Sequence, residues 1–569
     1  MATQELSGMT SSEHGGKSNF SPDRLIDIIS TPIFGNAPAW WWFGFSVSGV
    51  LLLLYLVTLA VITTQGVGVW DINNPVYWGT GIINLVFWIG IGHAGTAISA
   101  ILLLCRQRWR SAFARFAEAM TLFALATAGL FPIFHTGRPW YAYWVGPYPN
   151  ALGLNSQWTS ALVWDLVAIS TYGIVSLLFW YIDLLPDLAI MRDKAKGRIP
   201  KFIYAFASMG WRGESKHWQR LHRVAYLLAA LATPLVISVH SIIGFDFAIT
   251  QLPGWHHTVF PPYFVGGALF AGFAMVCIVA TMMRQYPGMK NVITLDHIEN
   301  AAKFVLATSL VVGYGYLAEV YTAWYAGHIG EVLLSIERAL GPYAATYWVM
   351  IFFNVVLTQL LWFKSVRRNL GLLVIICIGV TIGMWLERFV IISLSMSYGH
   401  MVSMWEGWVP TFWDWMTIIT PFGLFFTLFF LFIRFVPSLA MFEVVEIDHE
   451  VGWGEPEGHS GQSPAPVAKP ALTARAQSSA PVAQATTVAS DEPDDLKLIE
   501  GIGPKMEATL NAAGITTFEQ IANADPDNLR EIIESAGMRL IVKLDTWARQ
   551  ARLAADGKWD ELQRYQDEI

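Results

Sequence analysis

The feature that most constrains this chain is a series of ten apolar stretches, each longer than 20 residues. A helix needs about 20 apolar residues to cross the roughly 30 Å hydrocarbon core of a bilayer, whereas a barrel strand needs only about 10. The charged fraction of 14% is also well below the roughly 25% of soluble domains. We therefore predict an all-α polytopic membrane protein. Its ten transmembrane helices are expected at residues 43–64, 79–104, 113–134, 158–183, 221–245, 263–283, 303–326, 343–363, 370–395 and 415–436.

The loops between these stretches alternate in charge. One set is rich in Lys and Arg, as in the loop from Arg192 to Lys216, whereas the segments 65–78, 246–262 and 396–414 contain neither residue. Basic loops stay in the cytoplasm. We therefore expect the even-numbered loops and both termini to be cytoplasmic.

Asp165 is the most unusual residue within the apolar stretches, because no other charge in SALVWDLVAISTYGIVSLLFWYI neutralises it. A carboxylate at membrane depth costs on the order of 2.5–3.5 kcal/mol and usually serves proton, ion or electron chemistry. His135 closes the preceding stretch and Asp246 ends the fifth. With helix directions alternating, all three lie near the outer face, and Asp165 lies about 10 Å below it.

Other ionisable residues accompany this group within the apolar stretches: His93, His240, Glu319, Glu387 and Arg388. Purely structural interpretations stay open for several of them. A buried His can be a hydrogen-bond partner between helices, and Glu387 with Arg388 can form a structural ion pair. Asp246 can simply lie at the interface. The persuasive feature is that most of these groups lie in one layer of the membrane.

The motifs for bound metals are absent from the sequence. Cys105, Cys277 and Cys377 stand singly, without iron–sulfur or zinc spacing, and neither CxxCH nor a Walker sequence occurs. Haem b between two His residues is conceivable, but no matched pair lies within one stretch. A His and an Asp near one face suit a quinol site, where each accepts a proton as electrons leave. The electrons then need a metal centre on another polypeptide.

Four segments carry a resemblance to a known family: GHAGTAISAILLLCRQRWR, FPIFHTGRPWYAYW, NSQWTSALVWDLVAISTYG and HSIIGFDFAITQLPGWHHTVFPPYFVGGALFAGFAM. They resemble the NrfD/PsrC family of quinol-interacting membrane subunits over about residues 30–445. Within it, the ten spans are most similar to the ActC-type subunits of bacterial alternative complex III.

The resemblance implies two four-helix bundles plus two extra helices, in the bacterial inner membrane. It implies quinol (menaquinone or ubiquinone) as the cofactor, with no haem, iron–sulfur cluster or metal in this chain. The implied quinol-pocket residues are His135, Asp165, Asp246 and Arg138, and the implied proton path contains His93, His240, Glu319, Glu387 and Arg388. The implied partners are a periplasmic iron–sulfur subunit, a multihaem cytochrome c subunit, a second NrfD-like subunit, other small membrane subunits and the lipid bilayer.

The C-terminal part differs in composition. We predict a cytoplasmic N-terminal segment at 1–42, the membrane domain at 43–445 and a Pro/Ala/Ser-rich linker at 446–490. The pattern LxxIxGIGPK…LxxAGI in residues 491–569 resembles a helix-hairpin-helix module, a type that often binds nucleic acid. This segment holds 9 Lys+Arg against 17 Asp+Glu. Phosphate binding needs the opposite sign, so a protein-interaction or structural role is favoured over nucleic-acid binding.

Two functions from different classes remain. The first is a quinol-oxidising, proton-translocating subunit of a membrane oxidoreductase. The second is an ion- or proton-coupled secondary transporter, which also keeps ionisable groups within the membrane. Transporters usually show inverted repeats and broken helices at mid-membrane. Here the ionisable groups lie mostly in the outer half, and the sequence shows no convincing paired break, which favours the first.

Overall fold

The computed structural model describes residues 22–146, 160–445 and, with gaps at 495, 500–501, 503, 536–545 and 557, residues 494–568. The chain divides into two compact units, residues 1–462 and 463–569. The described residues form helices and turns without a β-strand, so the predicted all-α class is confirmed. The predicted linker, 446–490, lies outside the described residues.

Helices of six residues or more are numbered here in chain order, and π or 3-10 turns within a helix are not separated. Outside the spans, α1 is Pro22–Phe34, α6 is Arg198–Ala207 and α10 is Ile329–Leu340. In the part of the chain that the structure describes, ten helices are long and apolar enough to cross a bilayer: α2 (Ala39–Gln65), α3 (Thr80–Leu104), α4 (Ala114–His135), α5 (Ala161–Lys194), α7 (Ser215–Ala248), α8 (Phe260–Met283), α9 (Leu295–Ala326), α11 (Ala344–Trp362), α12 (Leu370–Ser397) and α13 (Phe412–Phe435).

Each predicted span corresponds to one of these helices, but several helices continue beyond the apolar part. The fourth span was predicted to end at 183, whereas α5 continues to Lys194. The seventh was predicted to start at 303, whereas α9 starts at Leu295, where the Thr294 hydroxyl accepts a hydrogen bond from the His297 N–H. Hydropathy marks the apolar part of a helix, while caps and hydrogen bonding decide where it ends.

Helices α3 and α8 form the centre of the membrane unit and are the most enclosed spans. Helix α3 packs against α4 and α8, and α8 also packs against α7, α9 and α12. Small residues permit the close approach. A Cβ at Gly95 would overlap the Ala117 carbonyl of α4, and one at Gly272 would overlap Ala94 of α3.

The spans alternate in direction, so helix ends gather at two faces. The basic face is the end where α3 and α5 finish and where the Arg192–Lys216 connection lies. The opposite face is the end where α4 finishes at His135, α5 begins and α7 finishes. These two names are used below.

The second unit is a small helical domain with its own core. Its helices are α14 (Pro504–Ala512), α15 (Phe518–Asn523), α16 (Pro526–Ser535), α17 (Trp547–Ala555) and α18 (Trp559–Glu568). Leu510, Ile521 and Trp547 are fully buried within it. Helix α15 begins with a capping box, in which the Thr517 hydroxyl accepts the Gln520 N–H and the Gln520 side chain accepts the Thr517 N–H.

Candidate functional site

One side of α5 carries a line of buried polar residues, here called the polar stripe. Asp165, Tyr172, Ser176, Asp183 and Asp187 follow one another at steps of seven, four, seven and four residues. These steps keep them on one side of a helix with 3.6 residues per turn. All five are buried, although α5 leaves many apolar side chains exposed. The stripe extends over about 33 Å, close to the thickness of the hydrocarbon core.

Asp165 and Asp246 meet near the opposite face. Their carboxyl groups are in hydrogen-bonding contact between α5 and α7. An ionised carboxylate can only accept a hydrogen bond, so the two acids hydrogen-bond to each other only when one of them carries a proton. Two carboxyl groups that share a proton can take up or release one. Sequence analysis placed both residues in one layer, and the structure brings them together.

His135 and Arg138 lie at the same face but do not join this acid pair directly. His135 is the last residue of α4, and its Cβ is 3.6 Å from the position of a Cβ at Gly81, where α3 begins. Arg138 is exposed and follows Gly137, whose φ of +70° turns the chain. Among the described residues, no hydrogen bond or ion pair links either side chain to Asp165 or Asp246.

Three of the predicted pocket residues each leave a buried polar atom without a hydrogen-bond partner within the described residues: His135 Nδ1, Asp165 Oδ1 and Asp246 Oδ1. A buried polar atom without a partner costs about 1–3 kcal/mol, and each such atom needs an explanation such as a water or a ligand. Together they offer one aromatic nitrogen and two carboxyl oxygens. A ligand that carries hydroxyl or carbonyl oxygens could satisfy them.

His93 and His240, two residues of the implied proton path, lie side by side deeper in the membrane and are here called the His pair. Both are fully buried, and their ring centroids are 4.2 Å apart, edge to face, between α3 and α7. His93 Nδ1 lies 2.7 Å from the Ile89 carbonyl of its own helix. Neither nitrogen of His240 has a hydrogen-bond partner in the described part of the chain. The interhelical hydrogen bond expected from a purely structural role is therefore not observed for His240.

Hydroxyl groups continue from the histidines toward the basic face. The Tyr172 ring stacks on His93 at 5.3 Å. Its hydroxyl lies 2.7 Å from the Thr96 hydroxyl, which in turn lies 3.4 Å from the Ser176 hydroxyl. Because hydroxyl groups both donate and accept, this row can pass a proton between neighbours. It connects the His pair with the middle of the polar stripe.

The predicted Glu387–Arg388 pair lies near His240, because the Phe264 ring is close to both Arg388 and His240. The two side chains form a buried ion pair on α12. Arg388 also lies over the Phe264 ring at 4.5 Å. Glu387 accepts a hydrogen bond from the Tyr316 hydroxyl at 2.5 Å, and Tyr316 accepts one from the Asn354 amide at 2.8 Å. Glu387 and Arg388 therefore partner each other, which favours a structural role for this pair, although Asn354 Oδ1 beside them has no hydrogen-bond partner among the described residues.

Glu319 pairs with Arg338, a residue that the sequence analysis did not single out. Arg338 of α10 reaches the Glu319 carboxylate at 2.5 Å and the Ser395 hydroxyl at 2.9 Å. Burial alone would lower the pKa of Arg338, but the Glu319 carboxylate raises it above the ordinary value. A cavity of about 20 Å³ lies beside Glu319, Glu387 and Arg338. This volume suffices for about one water molecule.

A buried ionic cluster near the basic face was missed by sequence analysis. Arg115 of α4 contacts Asp183 and Asp187 at 3.0 Å each. Glu118 lies one turn further along α4, is buried, and has no partner for Oε2 among the described residues. The signal was present in WYIDLLPDLAI, whose two acids are spaced to share one helix side. The predicted span ended at 183, so only Asp183 lay within it, and neither acid was singled out.

Next to this cluster, a half-open cavity of about 460 Å³ faces the basic side. Arg110 and Glu443 line this cavity and form an ion pair at 2.6 Å. Burial would raise the pKa of Glu443, but Arg110 holds it below the ordinary value. Glu118 and Asp183 line the cavity, and His222 lies among its other lining residues. The polar stripe therefore ends at a cavity on the basic side.

The cysteines do not form a metal site in the described part of the chain. Cys277 of α8 and Cys377 of α12 are buried with their thiols in hydrogen-bonding contact, while Cys105 is exposed. Among the described residues, no group of three His, Cys, Asp or Glu side chains is arranged to hold a metal ion.

Comparison with known families gives two matches. The model of a family described as "Polysulphide reductase, NrfD" matches residues 68–398. This range includes α3 to α12 and every residue predicted for the quinol pocket and proton path. The model of a family described as "RS2/RL21/YNQ2 HHH domain" matches residues 496–555. That match agrees with the helix-hairpin-helix module predicted there.

Similarity to individual curated proteins is confined to short segments. An uncharacterized 22.9 kDa protein in the nqo2 3' region of Paracoccus denitrificans is 45% identical over 65 residues, which is 11% of this chain and 30% of that protein. The large ribosomal subunit protein bL21 of Hyphomonas neptunium is 47% identical over 58 residues, 10% of this chain and 28% of bL21. The chain thus spans less than a third of each of these relatives.

Proposed function

The chain belongs to the NrfD family, and on that premise we propose that it is the quinol-oxidising membrane subunit of an oxidoreductase of the alternative complex III type. NrfD-family proteins are membrane subunits of redox complexes, interact with quinone and typically have iron–sulfur partners. The finer assignment rests on the resemblance to ActC-type subunits and on the geometry at the opposite face.

The observation that carries the proposal is that three of the predicted pocket residues each leave a buried polar atom without a partner at that face. His135 Nδ1, Asp165 Oδ1 and Asp246 Oδ1 are buried and lack protein partners within the described residues. The two hydroxyl groups of a quinol would supply the missing hydrogen bonds. Arg138, exposed beside His135, lies at the entrance, where it orients a polar head group.

The reaction follows from these groups. Quinol loses two electrons and two protons to become quinone. His135 and the acid pair accept the protons, because each holds a basic atom toward the head group. The electrons leave one at a time to a periplasmic iron–sulfur subunit, which passes them to a multihaem cytochrome c subunit. A site close to the opposite face keeps the first of these steps short.

Proton translocation is the second part of the proposal. The polar stripe, the His pair and the hydroxyl row form a polar series from the acid pair to the cavity on the basic side. Asp183 and Glu118, which line that cavity, supply protons from the basic side, and His93 and His240 carry them toward the opposite face. Glu319, Glu387 and Arg388 form a side branch around a water-sized cavity.

The remaining assignments follow from the same proposal. The protein lies in the bacterial inner membrane with its basic face and both termini in the cytoplasm, next to a second NrfD-like subunit and other small membrane subunits. Residues 1–42 form the N-terminal segment, 43–445 the quinol-binding domain and 446–490 a linker. Residues 491–569 form a module for protein interaction, not for nucleic acid.

Asp165→Asn tests the proposal. We expect about a 10²- to 10⁴-fold loss of quinol turnover in the purified native complex, because the acid pair loses its proton acceptor. Asp193→Asn, at the far end of the same helix, is the matched control and should leave turnover unchanged. Turnover, subunit composition and bound quinone are measured on the same samples.

Unchanged turnover in a fully assembled Asp165→Asn complex would contradict the site. A wild-type protein that holds no quinone after mild extraction, and that carries out ion counterflow in vesicles without partner subunits, would instead support a secondary transporter.

A further inference from the structure

Helix α6, Arg198–Ala207, is too short to cross a bilayer and connects the spans α5 and α7 at the basic face. One side of this helix and the turn after it is strongly apolar and exposed. The exposed side chains are Ile199 (74%), Phe202 (72%), Ile203 (56%), Phe206 (80%) and Met209 (74%). The spacing of three, one and three residues from Ile199 to Phe206 gives a single apolar stripe along the helix, and Met209 follows in the turn with a φ of +45°.

Two hydrogen bonds hold α6 at a defined depth. The Tyr204 hydroxyl donates to the Phe435 carbonyl at 2.9 Å, and the Tyr181 hydroxyl donates to the Ala207 carbonyl at 2.7 Å. Phe435 ends α13, and Tyr181 lies close to where the apolar part of α5 gives way to its acidic end. The C-terminal half of α6 is therefore fixed near the edge of the hydrocarbon core, with its apolar stripe turned away from the bundle.

The segment around this helix is cationic. Residues 192–216 contain seven Lys or Arg and two acids. Arg192 pairs with Asp193, and Lys194 pairs with Asp27. The five other cations are exposed and form no ion pair with any described residue: Lys196, Arg198, Lys201, Arg212 and Lys216.

We propose that α6 is an interfacial helix that inserts its apolar stripe into the basic-face leaflet and binds anionic phospholipid head groups through the surrounding cations. An exposed apolar stripe flanked by Lys and Arg is the pattern of helices that lie in the membrane interface. A bilayer edge is present at this depth, because α5 and α7 cross the membrane on either side. The unpaired cations favour a leaflet with anionic lipids over a neutral one.

Spin labels on single cysteines test the insertion, with exposed Cys105 replaced by Ser and the full-length protein placed in phosphatidylcholine/phosphatidylglycerol vesicles. A label at Phe206→Cys should collide more with oxygen than with a water-soluble nickel complex. A label at Lys201→Cys, on another side of the same helix, should show the reverse. Equal aqueous exposure at both positions would overturn insertion, and protection of position 206 from both reagents would place a partner protein there instead.

Charge variants test the lipid preference separately. In nanodiscs of the same lipid mixture, Arg198→Gln with Lys201→Gln should lower the enrichment of phosphatidylglycerol around the protein severalfold, with about fivefold per cation as the ceiling. Lys290→Gln with Lys364→Gln removes the same charge from exposed positions on other basic-face loops and is the matched control. An equal effect of both pairs would show a general charge effect and overturn a specific site on α6.

Discussion

At the residue scale, hydrogen-bond satisfaction separates two kinds of buried charge in this protein. Arg388 and Glu387 neutralise each other, and Tyr316 adds a further hydrogen bond. Asp165 and Asp246 instead contact each other and leave one oxygen each without a partner among the described residues. A fully partnered pair can hold helices together without a ligand, whereas each acid of the acid pair leaves one oxygen free to bind a water or a ligand.

Because the Asp165 and Asp246 side chains interact directly between α5 and α7, their substitutions should not be additive. We expect Asp165→Asn and Asp246→Asn each to lower quinol turnover by about 10²-fold or more. The double variant should lie within about tenfold of the worse single variant, since residues that act as a unit are lost together. Turnover of the four forms of the assembled complex gives the coupling directly. Independent, multiplicative losses would show that the two acids act separately.

Glu331 lies on α10, outside the membrane-spanning helices, and allows a prediction of how stability depends on pH. Burial would raise its pKa, but hydrogen bonds from His257 and the Gly254 N–H outweigh this and hold the pKa below the ordinary value. A depressed carboxyl pKa stabilises the fold above the unfolded-state value of about 4.3 and stops doing so as pH falls through the folded-state value.

We therefore expect Glu331→Gln to lower stability by about 1 kcal/mol at pH 7, allowing for partial solvent screening. The difference should close as pH falls below about 4. Thermal unfolding of both proteins between pH 3.5 and 7 measures it. A stability difference between the two proteins that stays constant across this pH range would show that the carboxylate charge does not stabilise the fold.

At the element scale, the sequence predicted the number of spans well and their ends poorly. The ten apolar stretches each became a helix because backbone groups in lipid must be paired within the chain. The polar end of α5 was missed, because hydropathy falls at Asp183 while the helix continues to Lys194. The basic-side cluster was not foreseen either, because its members Arg115, Glu118 and Asp183 lie near the ends of the predicted spans 113–134 and 158–183 and were not singled out. Contacts such as Glu319 with Arg338 depend on helix packing, which one sequence does not reveal.

Helix packing at α3 leads to a prediction with a built-in control. A methyl group at Gly95 would overlap Ala117 and Thr121 of α4, whereas one at Gly49 of α2 meets nothing within 4 Å. We expect Gly95→Ala to destabilise the protein by about 1–3 kcal/mol through overpacking. Gly49→Ala should be neutral or stabilising by up to about 1 kcal/mol. Thermal unfolding in detergent compares the two, and equal effects would contradict the tight α3–α4 contact.

At the scale of the whole molecule, the chain joins a membrane unit to a second unit with a separate core. The NrfD match ends at residue 398 and the helix-hairpin-helix match begins at 496. All the residues of the proposed quinol pocket and proton path lie within the first match. Function at the membrane and function of the second unit can therefore be tested apart.

Truncation after residue 462 makes that test, because the two compact units divide there. We expect residues 1–462 to retain bound quinone and full turnover in the complex, since the pocket and the polar series lie in this unit. Residues 463–569 should unfold cooperatively on their own, with the buried Trp547 as the fluorescence reporter. Because acidic residues outnumber basic ones in this unit, we expect no salt-dependent binding to RNA or DNA. If truncation abolishes assembly while the first unit still folds, the second unit is a docking module for the complex. If the truncated protein assembles but turnover falls, the two units are functionally coupled, and the prediction that they act separately is wrong.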